Sequence, residues 1–370
     1  MKVANLQIGA QSGAQSGAQS IDPSALPVYE NRQAWYGPEV TKKGGWIHHF
    51  TTKELKEIDE CVRRADATGK DILAFTKEEL ALPSLSDKLN AVRDELLNGT
   101  GFYVFKRIPV EQYTIRQSAL AYWALGLQLG EPVSQNGKGH VLGHVTNLGV
   151  NYADPEVRGY QTAARLGYHT DSSDLVGLLC LKTAKSGGLS SIVSSTTLWN
   201  ELVKRRPDHA RILMDAFNRT RWGEIPGNMQ PWGSNPIFAP LEDRVISSYV
   251  RSAIKKAQDM PDVPRITEQQ IEALDHLDAL AADPDLHLDM VLEPGDIQLL
   301  SNHSIYHSRT AYEDWPSLEQ RRHLLRLWFA CDDGPALPAS MFGRLGLTER
   351  GRPNGICVPG IPFVATLDPN

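Results

Sequence analysis

The chain has 370 residues, 41% of them hydrophobic, and a formal net charge of −6, so it can build an ample core without disulfides or a structural metal and carries no electrostatic footprint for nucleic acid. No run approaches the roughly 20 apolar residues of a membrane span, and no basic start with an apolar run marks a secretory signal. The four cysteines, Cys61, Cys180, Cys331 and Cys357, lack C-x-x-C spacing, which fits a reducing compartment and leads to the expectation of a cytoplasmic protein acting on a small molecule.

Residues 9–20 repeat GAQS three times, a small and polar pattern with nothing to bury, so residues 1–25 are expected to form a disordered tail. Residues 26–370 then read as one domain, with a helical part over about 50–130, a core over about 95–335 and a Pro/Gly-rich wrap over 336–370. Thr51-x-x-Glu54 is a capping box, followed by Leu55, Ile58, Val62 and Ala65 at helical spacing. A second helix carries Leu85, Leu89, Val92 and Leu96 and is expected to stop in a left-handed cap at Asn98-Gly99. A third runs from about Glu111 to Leu129, and the run Gly101 to Phe105 between these two reads as a strand. From about residue 160 short β-like runs follow: 174–181, 190–195, 245–250, 289–293, 296–301 and 322–330. Pro294-Gly295 predicts a tight reversal and Gly187-Gly188 a turn between strands. One helix with a Thr267-x-x-Gln270 box interrupts the series. Helices concentrated early and many short strands later predict a mainly β fold with flanking helices, a double-stranded β-helix or jelly roll.

Alternation in a strand puts His169 and Asp171 on one side, about 7 Å apart along the chain. Alone, the pair reads more readily as two polar residues on a solvated strand face. Downstream stands His307, and two imidazoles with one carboxylate can occupy one face of an octahedral metal and leave open the positions that non-haem Fe(II) needs. Asp174 is a rival carboxylate and His303 a rival imidazole. In the run Arg322 to Arg326, alternation places both arginines on one strand face, where an apolar setting makes them costly unless an anion receives them. His140 and His144 have the spacing of helical zinc ligands, but Gly139 and Gly143 disfavour a helix. Trp46, Trp222 and Trp232 could line a pocket or simply pack.

The stretches GYHTDSSDLVGLLCL, the GG turn before SSIVSS, LEPGDIQLLSNH, HSRTAYED and RRHLLRLW together resemble the taurine dioxygenase/2,4-dichlorophenoxyacetate dioxygenase-like (TauD/TfdA-type) family of Fe(II)- and 2-oxoglutarate-dependent oxygenases, over roughly residues 95–335. The resemblance extends to the related clavaminate synthase-like enzymes. It implies His169, Asp171 and His307 as metal ligands. It further implies that Arg322 and Thr196 bind the distal carboxylate of 2-oxoglutarate, with Ser195 and Thr197 as one-residue competitors for Thr196. Arg326 falls where relatives bind an acidic group of the substrate; a salt bridge behind the site is the competing reading, and the two arginines' roles stay open. The segment Gly139 to Arg165 corresponds to a substrate-side loop, which makes Asn147, Asn151, Tyr152 and Arg165 pocket candidates.

The implied activity is oxidation, by default hydroxylation, of a C–H in a small acidic molecule, with O2 consumed and succinate and CO2 released. Desaturation, cyclisation and C–N or C–S cleavage depend on substrate pose and stay open. Competing classes are a zinc hydrolase using the same ligands and a non-catalytic jelly-roll binding protein. The residues leave the substrate's identity and any homo-oligomer unspecified.

Overall fold

The computed structural model describes residues 26–151, 154, 157–225, 229–341, 352, 353 and 355–369. The expected tail, Tyr152 and part of the C-terminal wrap lie outside the described residues. The helices form where their caps and spacing place them. Thr51 caps Thr52–Asp66 in a capping box, and Ile58, Val62 and Ala65 are buried. Ser86–Asn98 follows, then Ile115–Leu129, capped by Thr114 four residues later than the sequence indicated. Gly99 has φ −99° and makes no left-handed cap; the positive φ falls at Gly101, at +84°, where an added Cβ would lie 2.6 Å from Ser304 Oγ. The chain therefore reverses two residues further on, just ahead of the next strand.

The β-core comprises β1 (Ile47–His49), β2 (Phe102–Lys106), β3 (Glu131–Val133), β4 (Leu142–Thr146), β5 (Leu166–His169), β6 (Leu175–Lys182), β7 (Ser190–Ser194), β8 (Leu288–Met290), β9 (Ile297–Ser301), β10 (Ile305–Arg309) and β11 (His323–Ala330). A seven-stranded sheet runs β1-β2-β9-β6-β11, with β3 and β4 sharing the far edge of β11, and a four-stranded sheet runs β8-β7-β10-β5. Apart from the parallel β1–β2 pair, neighbours are antiparallel. This is the two-sheet jelly roll that the strand pattern predicted.

Both glycine turns are corners between sheets rather than hairpins. Pro294-Gly295 carries the chain from β8 in the small sheet to β9 in the large one, and Gly187-Gly188 carries it from β6 to β7. Backbone crowds both: a Cβ on Gly295 would meet Ile108 O at 2.0 Å, and one on Gly187 would meet Ala311 O at 2.3 Å.

Phe102, Val104, Val176, Ile192, Leu300, Ile305 and Trp328 fill the space between the sheets. The outer face of the large sheet, with Tyr103, Phe105, Leu179, Leu299, Leu325, Leu327 and Phe329, packs on the three early helices. The small sheet's outer face is covered by Ser195–Arg205, Pro207–Ile212 and Glu268–Ala281 through Leu198, Trp199, Leu274 and Leu277. The first two of these helices, and Arg251–Ala257, were not foreseen. β11 thus alternates, sending Leu325, Leu327 and Phe329 outward to the helices and Leu324, Arg326 and Trp328 inward. No helix among the described residues is long and apolar enough to cross a membrane.

Candidate active site

The open end of the jelly roll holds the site because β5 and β10 are neighbours there. Their antiparallel register pairs His169 directly with His307, and the ring centroids lie 4.2 Å apart. Asp171 follows two residues beyond the strand end, and its backbone N–H donates to Asn302 Oδ1 at 2.9 Å. Its Oδ2 accepts from Trp328 Nε1–H at 2.8 Å and lies 3.5 Å from Arg326 Nη1 and 3.9 Å from His307 Nε2. One ligand atom from each of His169, Asp171 and His307 lies within 4.8 Å of the other two, so these three residues could hold a metal ion.

The donor set fits a divalent metal. Burial disfavours the imidazolium form of both histidines and pushes His307 down to about 3, with His169 adding to the effect. His169 Nδ1–H is placed to donate to Gly167 O at 2.9 Å, which leaves the Nε2 lone pair for a metal. Burial works against ionising Asp171, but Arg326, then the two histidines, then Trp328 outweigh it and hold the carboxyl below its usual range.

The rivals are removed by packing. Asp174 is fully buried and accepts from His303 Nε2 at 2.7 Å, Cys331 N at 2.8 Å and Arg352 Nε at 3.1 Å. Burial acts to raise its pKa; the His303 hydrogen bond and charge, followed by Arg352, hold it below the ordinary value. Removing one partner of a buried ion pair costs about 3–5 kcal/mol, so Asp174→Ala is expected to destabilise the protein by that amount while leaving Mn(II) affinity within about twofold. Calorimetric unfolding and metal titration check it. The folded pKa is depressed, so this stabilisation is full above the unfolded value near 3.9 and is lost as pH falls through the folded one.

A cavity of about 570 Å³ joins the triad to Arg322, Arg326 and Arg165. Arg322 enters β11 buried, with Nη1 lacking any partner among the described residues and Cζ 5.2 Å from the Tyr312 ring centre. Arg326 also lines the cavity; its Nε donates to Gln135 Oε1 at 2.7 Å and its Nη1 lies 3.5 Å from Asp171 Oδ2. Arg165 is exposed at the mouth.

Three expected residues are not brought to the cavity. Thr196 is fully buried in the first turn of Ser195–Arg205, because β7 ends at Ser194 and the chain turns away into a helix. Its competitors fare no better: Thr197 Oγ1 donates to Trp35 O at 2.6 Å, and Ser195 is buried beside it. The hydroxyl that does line the cavity from this strand is Ser190, paired across from Arg309 and hydrogen-bonded to Gln298 at 3.0 Å. Counting alternate residues from the Gly187-Gly188 corner would have pointed to it. Asn147 instead shapes a turn, its Oδ1 accepting from Gly149 N at 3.0 Å and its carbonyl accepting from Arg321. Asn151 is exposed and does not line the cavity.

Arg309 and Trp328 were also missed, although each continues an inward alternation, from His307 and from Arg326. His144 bonds His323 at 2.8 Å and Thr366 O at 2.9 Å, tying the C-terminal segment to β4 and β11, and joins no metal cluster. Trp46 packs on Phe102 at 5.5 Å; Trp222 lines the cavity and Trp232 does not.

A jelly roll with two imidazoles and a carboxylate converging at its open end defines the class of non-haem metal oxygenases. The family model described as "Taurine catabolism dioxygenase TauD, TfdA family" matches residues 65–328, and the chain belongs to that family. It is an oxidoreductase, an Fe(II)/2-oxoglutarate-dependent dioxygenase. The chain is 28% identical over 332 residues to FR-33289 synthase of Streptomyces rubellomurinus (strain ATCC 31215), covering 87% of this chain and 96% of that protein. It is 25% identical to the taurine hydroxylase-like protein SAT17 of Stachybotrys chartarum (strain CBS 109288 / IBT 7711), covering 80% and 78%. The fold is shared with the non-heme iron oxygenase OrfP, solved in complex with Fe and alpha-ketoglutaric acid, at a TM-score of 0.59 and 15% identity over 77% of this chain and 93% of that one.

Proposed function

We propose that His169, Asp171 and His307 hold Fe(II), that Arg322 receives the distal carboxylate of 2-oxoglutarate, and that the enzyme hydroxylates a C–H of a small acidic molecule. The observation that carries this reading is the placement of an unpartnered, buried Arg322 Nη1 in the same cavity as the triad. A guanidinium desolvated to that degree is stabilised by a bidentate anion more than by water. When bound, the metal and 2-oxoglutarate would supply O2 activation, with O2 as the oxidant: one oxygen atom would end in succinate as CO2 is released, and the other in the hydroxylated C–H.

The protein's part is placement. Trp328 and Arg326 fix the Asp171 carboxylate from one side and Asn302 fixes its backbone; such outer partners are worth roughly 10–100-fold in metal affinity. Ser190 and Arg309 flank the Arg322 end, Arg309 lying 4.6 Å over the same Tyr312 ring. Leu292, Leu324 and Ile356 add apolar surface to the cavity. Anaerobic protein with Fe(II) and 2-oxoglutarate is expected to show a weak visible charge-transfer band, and absence of that band sinks the reading. Arg326→Ala is expected to raise substrate KM about tenfold or more and to weaken metal binding through Asp171, with KM for 2-oxoglutarate within about threefold. Steady-state kinetics check it; the opposite KM pattern exchanges its role with Arg322.

A further inference from the structure

The cavity carries more positive charge than the triad and 2-oxoglutarate account for. Seven cationic side chains and two carboxylates line it, in a chain whose net charge is −6. Most of these cations are already engaged. Arg326 faces Asp171 at 3.5 Å, Arg158 pairs with Glu224, and Arg251 pairs with Asp275 at 2.6 Å and Asp278 at 3.4 Å. Arg309 donates to the carbonyls of Thr162 and Ala164. Arg322 is assigned above to 2-oxoglutarate, whose two charges offset those of Fe(II).

Arg165 and Lys255 remain. Neither side chain is within hydrogen-bond or ion-pair distance of another described residue, although the Arg165 charge also acts on the Asp278 carboxylate; both are exposed, and both line the cavity. They reach it from different elements, Arg165 from the residue before β5 and Lys255 from helix Arg251–Ala257, which packs against β5. Two cations without a close counter-ion lining one cavity favour an anionic ligand in it. A cleft with low-dielectric walls also concentrates their field, raising the local level of oppositely charged ligands.

We infer that the substrate is an organic anion of net charge −2 or more, its charged end held by Arg165 and Lys255 while its carbon skeleton reaches towards the triad. The inference rests on the oxygenase reading and adds the substrate's charge and the residues that recognise it.

The test uses full-length protein loaded anaerobically with Mn(II) and 2-oxoglutarate, titrated near neutral pH with inorganic phosphate and, separately, with acetate. Calorimetry is expected to show phosphate binding about tenfold tighter than acetate, with 2-oxoglutarate retained. Phosphate affinity is expected to fall about tenfold in Arg165→Gln/Lys255→Gln, and to fall in wild type between about 50 mM and about 250 mM NaCl. Lys56→Gln, a charge change on the exposed surface of the early helix, is expected to change nothing. Equal affinity for phosphate and acetate overturns the inference. So does unchanged phosphate binding in the double variant, or phosphate that binds only by displacing 2-oxoglutarate. The Fe(II)/2-oxoglutarate charge-transfer band involves neither rim residue, so it judges the oxygenase reading separately.

Discussion

His307→Ala is expected to abolish turnover and the Fe(II)/2-oxoglutarate band, and to weaken divalent metal binding by more than the roughly 100-fold that loss of an outer hydrogen-bond partner costs. The reason is geometric. His307 is paired in register with His169 across β5 and β10, so its loss leaves two donors on one strand and its adjoining turn. The cavity on that side is bounded by side chains of the large sheet, Arg326 and Trp328, which supply hydrogen-bond donors and no replacement ligand. His303→Ala is the control. That imidazole is bonded to Asp174, away from the triad, so the variant is expected to lose stability and keep the band. Isothermal titration with Mn(II) and anaerobic spectroscopy on both variants check the pair; a band that survives in His307→Ala would falsify the assignment of the metal centre.

Arg322→Ala is expected to raise KM for 2-oxoglutarate by about 10²–10³-fold, the equivalent of the roughly 3–5 kcal/mol lost when one partner of a buried charge pair is removed. Burial already holds the Arg322 guanidinium below its usual pKa, and its Nη1 has no partner among the described residues, so the free protein gives up little when the side chain is removed. Arg322→Lys is expected to recover only part of the affinity, because an ammonium cannot present the two parallel donors of a guanidinium fork. Kinetics with varied 2-oxoglutarate measure both variants; an unchanged KM in Arg322→Ala sinks this role.

Much of the site was legible because strand periodicity is rigid. Alternation with a period of two suggested that His169 goes with Asp171 and Arg322 with Arg326, and both pairs line the cavity although Asp171 and Arg322 lie just outside β5 and β11. The same arithmetic, applied further, reaches Arg309 and Trp328. Thr196, which the family resemblance and not the alternation suggested, does not line the cavity, because the strand period applies only while the strand lasts. β7 ends at Ser194, where a serine side chain caps a helix through Thr197 N–H, and the residues after it follow a helical period into the core. Asn147 failed for a related reason: short polar side chains in loops bond their own backbone as readily as a ligand, and this one does. The helices over the small sheet went unpredicted because Ser195–Arg205 and Arg251–Ala257 are short and gain their stability from packing rather than from strong local signals.

The sequence by itself determined the class of fold, the caps of its longer helices, and the candidates for metal-binding and anion-binding chemistry, since these follow from residue type and local period. Only the tertiary structure decided which of two carboxylates and two downstream imidazoles meet at one point. It also decided that Arg326 faces Asp171, and that Ser190, Arg165 and Lys255 line the same cavity. These are long-range facts: they depend on strand register and on how two sheets join at Gly187-Gly188 and Pro294-Gly295, and no local pattern encodes the distance between residues that far apart in the chain.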